Sequence, residues 1–184
     1  MDAMVRSGVN AVILFPQAGP ITEYEWIKTA QERNLGVIVG GEMTHPRYLD
    51  TDERNPKDKN YNQIFNDIGI DPAIRGFIRE SAPVDIYELA ARMGVKNFVV
   101  PGNKPEKIKE YRKLIEKCGI SGESYWSPGL VAQGGEISEG GKAAGERFHA
   151  IVGRGIYQKK VDGKPATKTV VEMKESALEL AADL

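Results

Sequence analysis

Five short apolar runs, each followed by a helical pattern or a glycine-rich turn, constrain this chain more than any other feature. They are VNAVILF (Val9 to Phe15), LGVIVGGEM (Leu35 to Met43), VKNFVVPG (Val95 to Gly102), GESYWSPG (Gly122 to Gly129) and HAIVGRG (His149 to Gly155). Strands with one wet face alternate apolar and polar residues. These runs are instead nearly continuous, as expected of parallel strands covered on both faces. The segments between them carry helix signals. In APVDIYELAARMG, Ile86, Leu89, Ala90 and Met93 recur at i, i+3, i+4 and i+7, and Gly94 stands where a C-terminal cap belongs. In NKPEKIKEYRKLIEKCG, Pro105 takes the first helical position and Gly119 the stop, with Ile108, Tyr111, Leu114, Ile115 and Cys118 as the apolar stripe. ITEYEWIKTAQERNLG after Pro20 predicts a further helix, ISEGGKAAGERF a weaker one, and TVVEMKESALELAADL a last one with Val170, Met173, Ala177, Leu180 and Leu184 on one face. Strand–helix alternation of this kind predicts an α/β fold built on a parallel sheet.

The pattern breaks between residues 47 and 80. The first half of that insertion is charged and contains Pro56, so it predicts a long exposed, mobile loop (Asp50 to Asn60); a short helix is expected near Asp71 to Arg79. The 184 residues are enough for one domain with a real core. A net charge of −1 gives no basic excess for nucleic acid or an anionic membrane. No run is long enough to cross a bilayer, and the first residues lack a signal-peptide order. The single cysteine, Cys118, is expected in packing rather than chemistry, and a reducing, cytoplasmic setting is the default.

Candidate chemistry collects where the runs end. AQGG (Ala132 to Gly135) follows the fourth run and GRG (Gly153 to Gly155) sits at the end of the fifth. Glycines let backbone N–H groups approach an anion without a Cβ in the way. Arg154 adds a planar, permanently charged fork for phosphate oxygens. If the sheet closes into a barrel, a phosphate site between the last two strand ends is the common arrangement. GEMTHP (Gly41 to Pro46) ends the second run, where Thr44 offers a hydroxyl and an N–H to a polar ring edge. His45 and His149, the only histidines, are expected in structural roles. No Cys, His and carboxylate cluster has metal-ligand spacing, and no nucleophile elbow, Walker loop or dinucleotide fingerprint is present.

Together, EMTHP, ARMGVKNFVVPGNKPE, SPGLVAQGG and AIVGRGIY resemble orotidine 5′-phosphate decarboxylase, particularly its archaeal form, from about Val5 to Tyr157. The resemblance implies a (β/α)8 TIM barrel, of which this chain holds strands four to eight. It implies a homodimeric, cofactor-free enzyme of pyrimidine biosynthesis that converts orotidine monophosphate to UMP and carbon dioxide. It further implies that Gln133, Gly134, Gly135, Gly153 and Arg154 hold the phosphate, while Thr44, Pro128 and Gly129 lie toward the pyrimidine. Thr44 stands where the family has serine. The family's catalytic lysine and its D-x-K-x-x-D motif match nothing in these residues. They are expected upstream of Met1, so no catalytic residue is assigned here. Two open sheet edges would then need a partner chain or the remaining barrel to cover them. Two other readings stand beside this one: a non-catalytic phosphate-binding or assembly module, and a sugar-phosphate decarboxylase or hexulose-phosphate synthase.

Overall fold

The computed structural model describes residues 1–52, 59–131 and 133–184. Its five-stranded sheet has the order β1 (Ala11–Leu14), β2 (Gly36–Gly40), β3 (Asn97–Val99), β4 (Ser124–Ser127) and β5 (Phe148–Ala150), all parallel. The helices that return the chain are α2 (Pro20–Glu32), α4 (Ala82–Arg92), α5 (Pro105–Lys117) and α6 (Ile137–Ala144), preceded by a short α1 (Asp2–Arg6). Successive members pack on one another, α2 on α4, α4 on α5 and α5 on α6, and make one continuous layer. The core lies between that layer and one face of the sheet. Val37, Val39, Phe98 and Tyr125 point outward from the strands and meet Ile27, Ala90, Ile108 and Ile115. A sequentially ordered parallel sheet with its helices on one face is a segment of an α/β barrel, and its strand order agrees with the sequence pattern. Cys118 packs at the edge of this core.

The insertion differs from expectation. A helix, α3 (Lys59–Asp67), forms where a loop was expected, and no helix forms at 71–79. Tyr61, Ile64, Phe65 and Ile68 do have helical spacing, hidden behind the charged stretch that precedes them. Downstream, Asp71 turns the chain by accepting from the Ala73 N–H at 2.8 Å. Gly76 then passes so close to the Tyr48 carbonyl that a Cβ would lie 2.3 Å from its oxygen. Ile78 there bridges to Leu49 as extended backbone. Residues 53–58, the centre of the expected mobile loop, lie outside the described residues. Leu49 and Asn62 on either side are buried, so the described part of the insertion is anchored.

The C-terminal region holds a second difference. After α7 (Arg154–Tyr157), β6 (Gln158–Val161) and β7 (Lys164–Thr167) form an antiparallel hairpin. Asp162 and Gly163 turn it with φ of 50° and 76°, the left-handed pair an Asp-Gly turn supplies. The last helix, α8 (Val170–Ala181), starts with a Thr169–Glu172 capping box. Its expected apolar face is only partly covered: Val170 and Leu184 are exposed, whereas Met173, Ala177 and Leu180 are half-buried.

Candidate functional site

The carboxyl ends of β2, β3, β4 and β5 open on one rim, and backbone hydrogen bonds set the loops there. The Gly102 N–H donates to the Pro128 carbonyl at 2.9 Å, and the Ile151 N–H to the Ser127 carbonyl at 3.0 Å. Ser127, fully buried, donates its hydroxyl to the Val100 carbonyl. After β4 the chain folds back on itself, with the Val131 N–H on the Gly135 carbonyl at 2.7 Å and the Gly135 N–H on the Gly129 carbonyl at 3.2 Å. Gly129 makes this possible. Its φ is 88°, and a Cβ there would lie 2.5 Å from Thr44 Cγ2 and 3.1 Å from Gln133 Oε1. The glycine therefore seats the β4 loop directly on Thr44.

Two adjoining cavities result. The polar one, about 630 Å³, is lined by Thr44, Gln133 and Arg154 together with Asn103 and Lys104. Beside it lies an apolar one of about 320 Å³, lined by Ile13, Phe15, Val99, Pro128 and Ile151. Thr44, His45 and Gln133 face both. Arg154 is exposed and has no ion pair among the described residues. The structure thus brings together Thr44, Pro128, Gly129, Gln133 and Arg154. Gly135 is buried against the Gly102 carbonyl, and Gly153 lies beside the Tyr157 ring. The expected cradle of N–H groups is reduced, because the Gly134 N–H already donates to Val131 and that of Gly135 to Gly129. The Gln133 side chain and the Arg154 guanidinium line the polar cavity as groups able to meet an anion. His45 makes no hydrogen bond among the described residues and lines the cavities instead; His149 stacks on Trp126 at 4.2 Å.

A charged network beneath the rim escaped the sequence reading. Glu42, buried at the end of β2, accepts from Lys104 Nζ at 2.6 Å and from the Tyr111 hydroxyl. Burial, then the Glu42 carboxylate, push the Tyr111 hydroxyl far above its ordinary range, so it stays a donor. Lys104 also reaches Asp52 at 3.5 Å, and Asp52 accepts from the Tyr48 and Leu49 N–H groups. The pair Glu42–Lys104 is 62 residues apart in sequence and ties the β2 loop to the β3 loop. Its signals were a carboxylate inside an apolar run and a lysine just before the helix-starting Pro105. Lys104 faces the polar cavity with much of its charge already compensated by Glu42. No group of three His, Cys, Asp or Glu among the described residues has the geometry to hold a metal ion. No described helix is long and apolar enough to cross a membrane.

No family model matches the chain. It is 36% identical over 173 residues to the orotidine 5′-phosphate decarboxylase of Methanococcoides burtonii, covering 94% of this chain and 65% of that protein. The Methanosarcina barkeri enzyme of the same name is 34% identical over 175 residues, covering 94% and 63%. For Methanococcus maripaludis the figures are 30% over 150 residues, 80% and 53%. The chain thus spans between half and two thirds of the length of these relatives. Among solved structures, orotidine 5′-monophosphate decarboxylase of Methanocaldococcus jannaschii complexed with the inhibitor BMP matches with a TM-score of 0.56 at 19% identity, over 94% of this chain and 60% of that one. The Sulfolobus solfataricus enzyme matches with 0.56 at 18% identity, over 99% and 67%. The shared fold is the α/β barrel of these decarboxylases.

Proposed function

The chain is a homologue of the archaeal orotidine 5′-phosphate decarboxylases, and from that premise we propose that it forms the phosphate- and pyrimidine-binding part of such a carboxy-lyase. The observation that carries this reading is the pairing of the two cavities. A nucleotide monophosphate has an anionic end and a flat ring, and Thr44 and Gln133 stand where a polar cavity with Arg154 meets an apolar one with Pro128. Arg154 and Gln133 take the phosphate, with Gly134, Gly135 and Gly153 shaping the backbone around it. Thr44 hydrogen-bonds the ring edge, and Pro128 and Gly129 form the surface on which the ring rests. Phosphate held at one end supplies binding energy that positions the reacting ring at the other.

In the reaction, the bond between the ring carbon and the departing carboxylate breaks and a proton replaces carbon dioxide. The resemblance gives that proton to a lysine flanked by aspartates, and none of these 184 residues matches that motif. Preorganised charge at the reacting centre is usually the largest catalytic contribution. The polypeptide by itself should therefore bind nucleotide without decarboxylating orotidine monophosphate. A homodimer, or the rest of a barrel, would cover the sheet edges, and the enzyme would work in the cytoplasm. Calorimetry with UMP and with ribose 5-phosphate tests the proposal. UMP should bind at least roughly tenfold more tightly, about 1.4 kcal/mol, because its ring fills the apolar cavity. Equal affinities would reject the nucleotide and favour a sugar-phosphate ligand.

A further inference from the structure

Glu23 occupies the first turn of α2, on the same buried stripe as Ile27 and Ala30. It is only 2% exposed, and its Oε1 has no hydrogen-bond partner among the described residues. A buried polar atom without a partner forfeits its hydration with nothing in return, and the cost is larger if the group is charged. The carboxyl group lines a cavity of about 450 Å³ enclosed by the 16–20 turn, the start of α4 and residues 77–79. None of its lining residues belongs to the Thr44–Arg154 cavity.

The other polar groups around the cavity decide what fits it. Gln17 gives one amide N–H to the Tyr48 hydroxyl at 3.0 Å, which leaves its carbonyl oxygen as an acceptor and its second N–H as a donor. Arg79 and Asp85, the remaining charged groups facing the cavity, pair with each other at 2.7 Å, largely in solvent. The Glu23 N–H is bound to the Gly19 carbonyl. Pro16, Pro20, Phe77 and Ile86 supply apolar wall. With Glu23 ionised and apart from the second Gln17 N–H, the side chains present acceptors and apolar surface, and the one cation, Arg79, is already compensated by Asp85.

We propose that this cavity is a second ligand site, which takes an organic cation with a flat apolar body, its amidinium or ammonium group bound to Glu23. Burial raises the Glu23 carboxyl to about 8, so at neutral pH it holds a proton. An arriving cation favours the carboxylate and displaces that proton to solvent. Binding is therefore coupled to proton release.

Benzamidine is the probe, with benzamide as its uncharged counterpart of the same shape. Calorimetry on the 184-residue chain at pH 7, in two buffers of different ionisation enthalpy, reads affinity and proton release together. Benzamidine should bind at least roughly tenfold more tightly than benzamide and release close to one proton per site. Glu23→Gln, which keeps the shape and removes the charge, should lose at least that tenfold. Failure of benzamidine to bind, equal affinity for benzamide, absence of proton release, or undiminished binding by Glu23→Gln would each overturn the proposal. Melting followed by circular dichroism verifies that Glu23→Gln is folded; if it is not, amidine against amide and the proton count on the unaltered chain decide alone.

Discussion

The two faces of the same sheet have opposite fates. On the outer face Phe98 and Val39 are fully buried beneath helices, and Tyr87, Phe98 and Tyr111 form a connected aromatic cluster with ring centroids 4.6 and 6.1 Å apart. On the inner face Ile13 is 50% exposed, Ile151 stands open, and the Trp126 indole N–H has no partner among the described residues. Both faces are built from the same apolar runs. The difference is that the outer face is covered by helices from its own neighbourhood in sequence, while the inner face requires strands arranged around a barrel axis. Stability in this chain therefore resides outside the sheet, while the inner face and its rim line the two cavities that the proposed function assigns to the nucleotide.

The largest effect expected from this division is on folding. Phe98→Ala should cost about 3–5 kcal/mol in urea denaturation, whereas Ile13→Ala, half-exposed on the inner face, should cost under about 1 kcal/mol. Comparable losses at both positions would break the comparison. Glu23 sharpens it next, as an unpaired acid within the otherwise apolar outer layer. Its folded-state pKa of about 8 lies above the ordinary carboxyl value, so its contribution is complete below about pH 4.5 and disappears as pH rises toward 8. Stability should fall across that window by a few kcal/mol, and Glu23→Gln should flatten the fall. A smaller and more local effect is expected at Arg47. Its guanidinium donates to the Pro72 and Ile74 carbonyls and to Asn62, and lies 5.3 Å from the Phe65 ring centre. Arg47→Ala should raise amide exchange across 61–80 while leaving β2 to β4 protected; exchange rising equally in both would contradict a separately anchored insertion. The smallest effect concerns the C-terminal hairpin. Lys159 holds the exposed Glu172 carboxyl down at about 2, so the support it gives is present above about pH 4.5 and is lost as pH falls toward 2. Glu172→Gln should remove that acid dependence in low salt, with little change at neutral pH.

Legibility in the sequence followed how local the cause was. Strands β1 to β4 lie inside the apolar runs because apolar side chains on both faces leave a continuous signature, although the helices cover only the outer face; β5 begins one residue earlier than its run, at Phe148. Thr44, Pro128, Gln133 and Arg154 were reached through short motifs at strand ends, and the structure seats them along one rim. The Asp162-Gly163 turn was equally local, yet its flanking strands are too polar to stand out as a hairpin. The Glu42–Lys104 pair was illegible for a different reason, since only the register of β2 against β3 brings the two together. Glu23 reads as an ordinary first-turn acid until the 77–79 segment is seen closing over it.

Binding of UMP and of uridine to the unaltered chain and to Arg154→Ala tests the functional account most directly. Removing the guanidinium should weaken UMP by roughly 30-fold or more, at the lower end of the 2–5 kcal/mol expected when one member of a desolvated charge pair is lost, and leave uridine within about twofold. Arg154→Lys should recover part of the loss, because it restores charge without the two-pronged fork. Equal weakening of both ligands, or an unchanged affinity for UMP, would contradict the assignment of Arg154 to the phosphate.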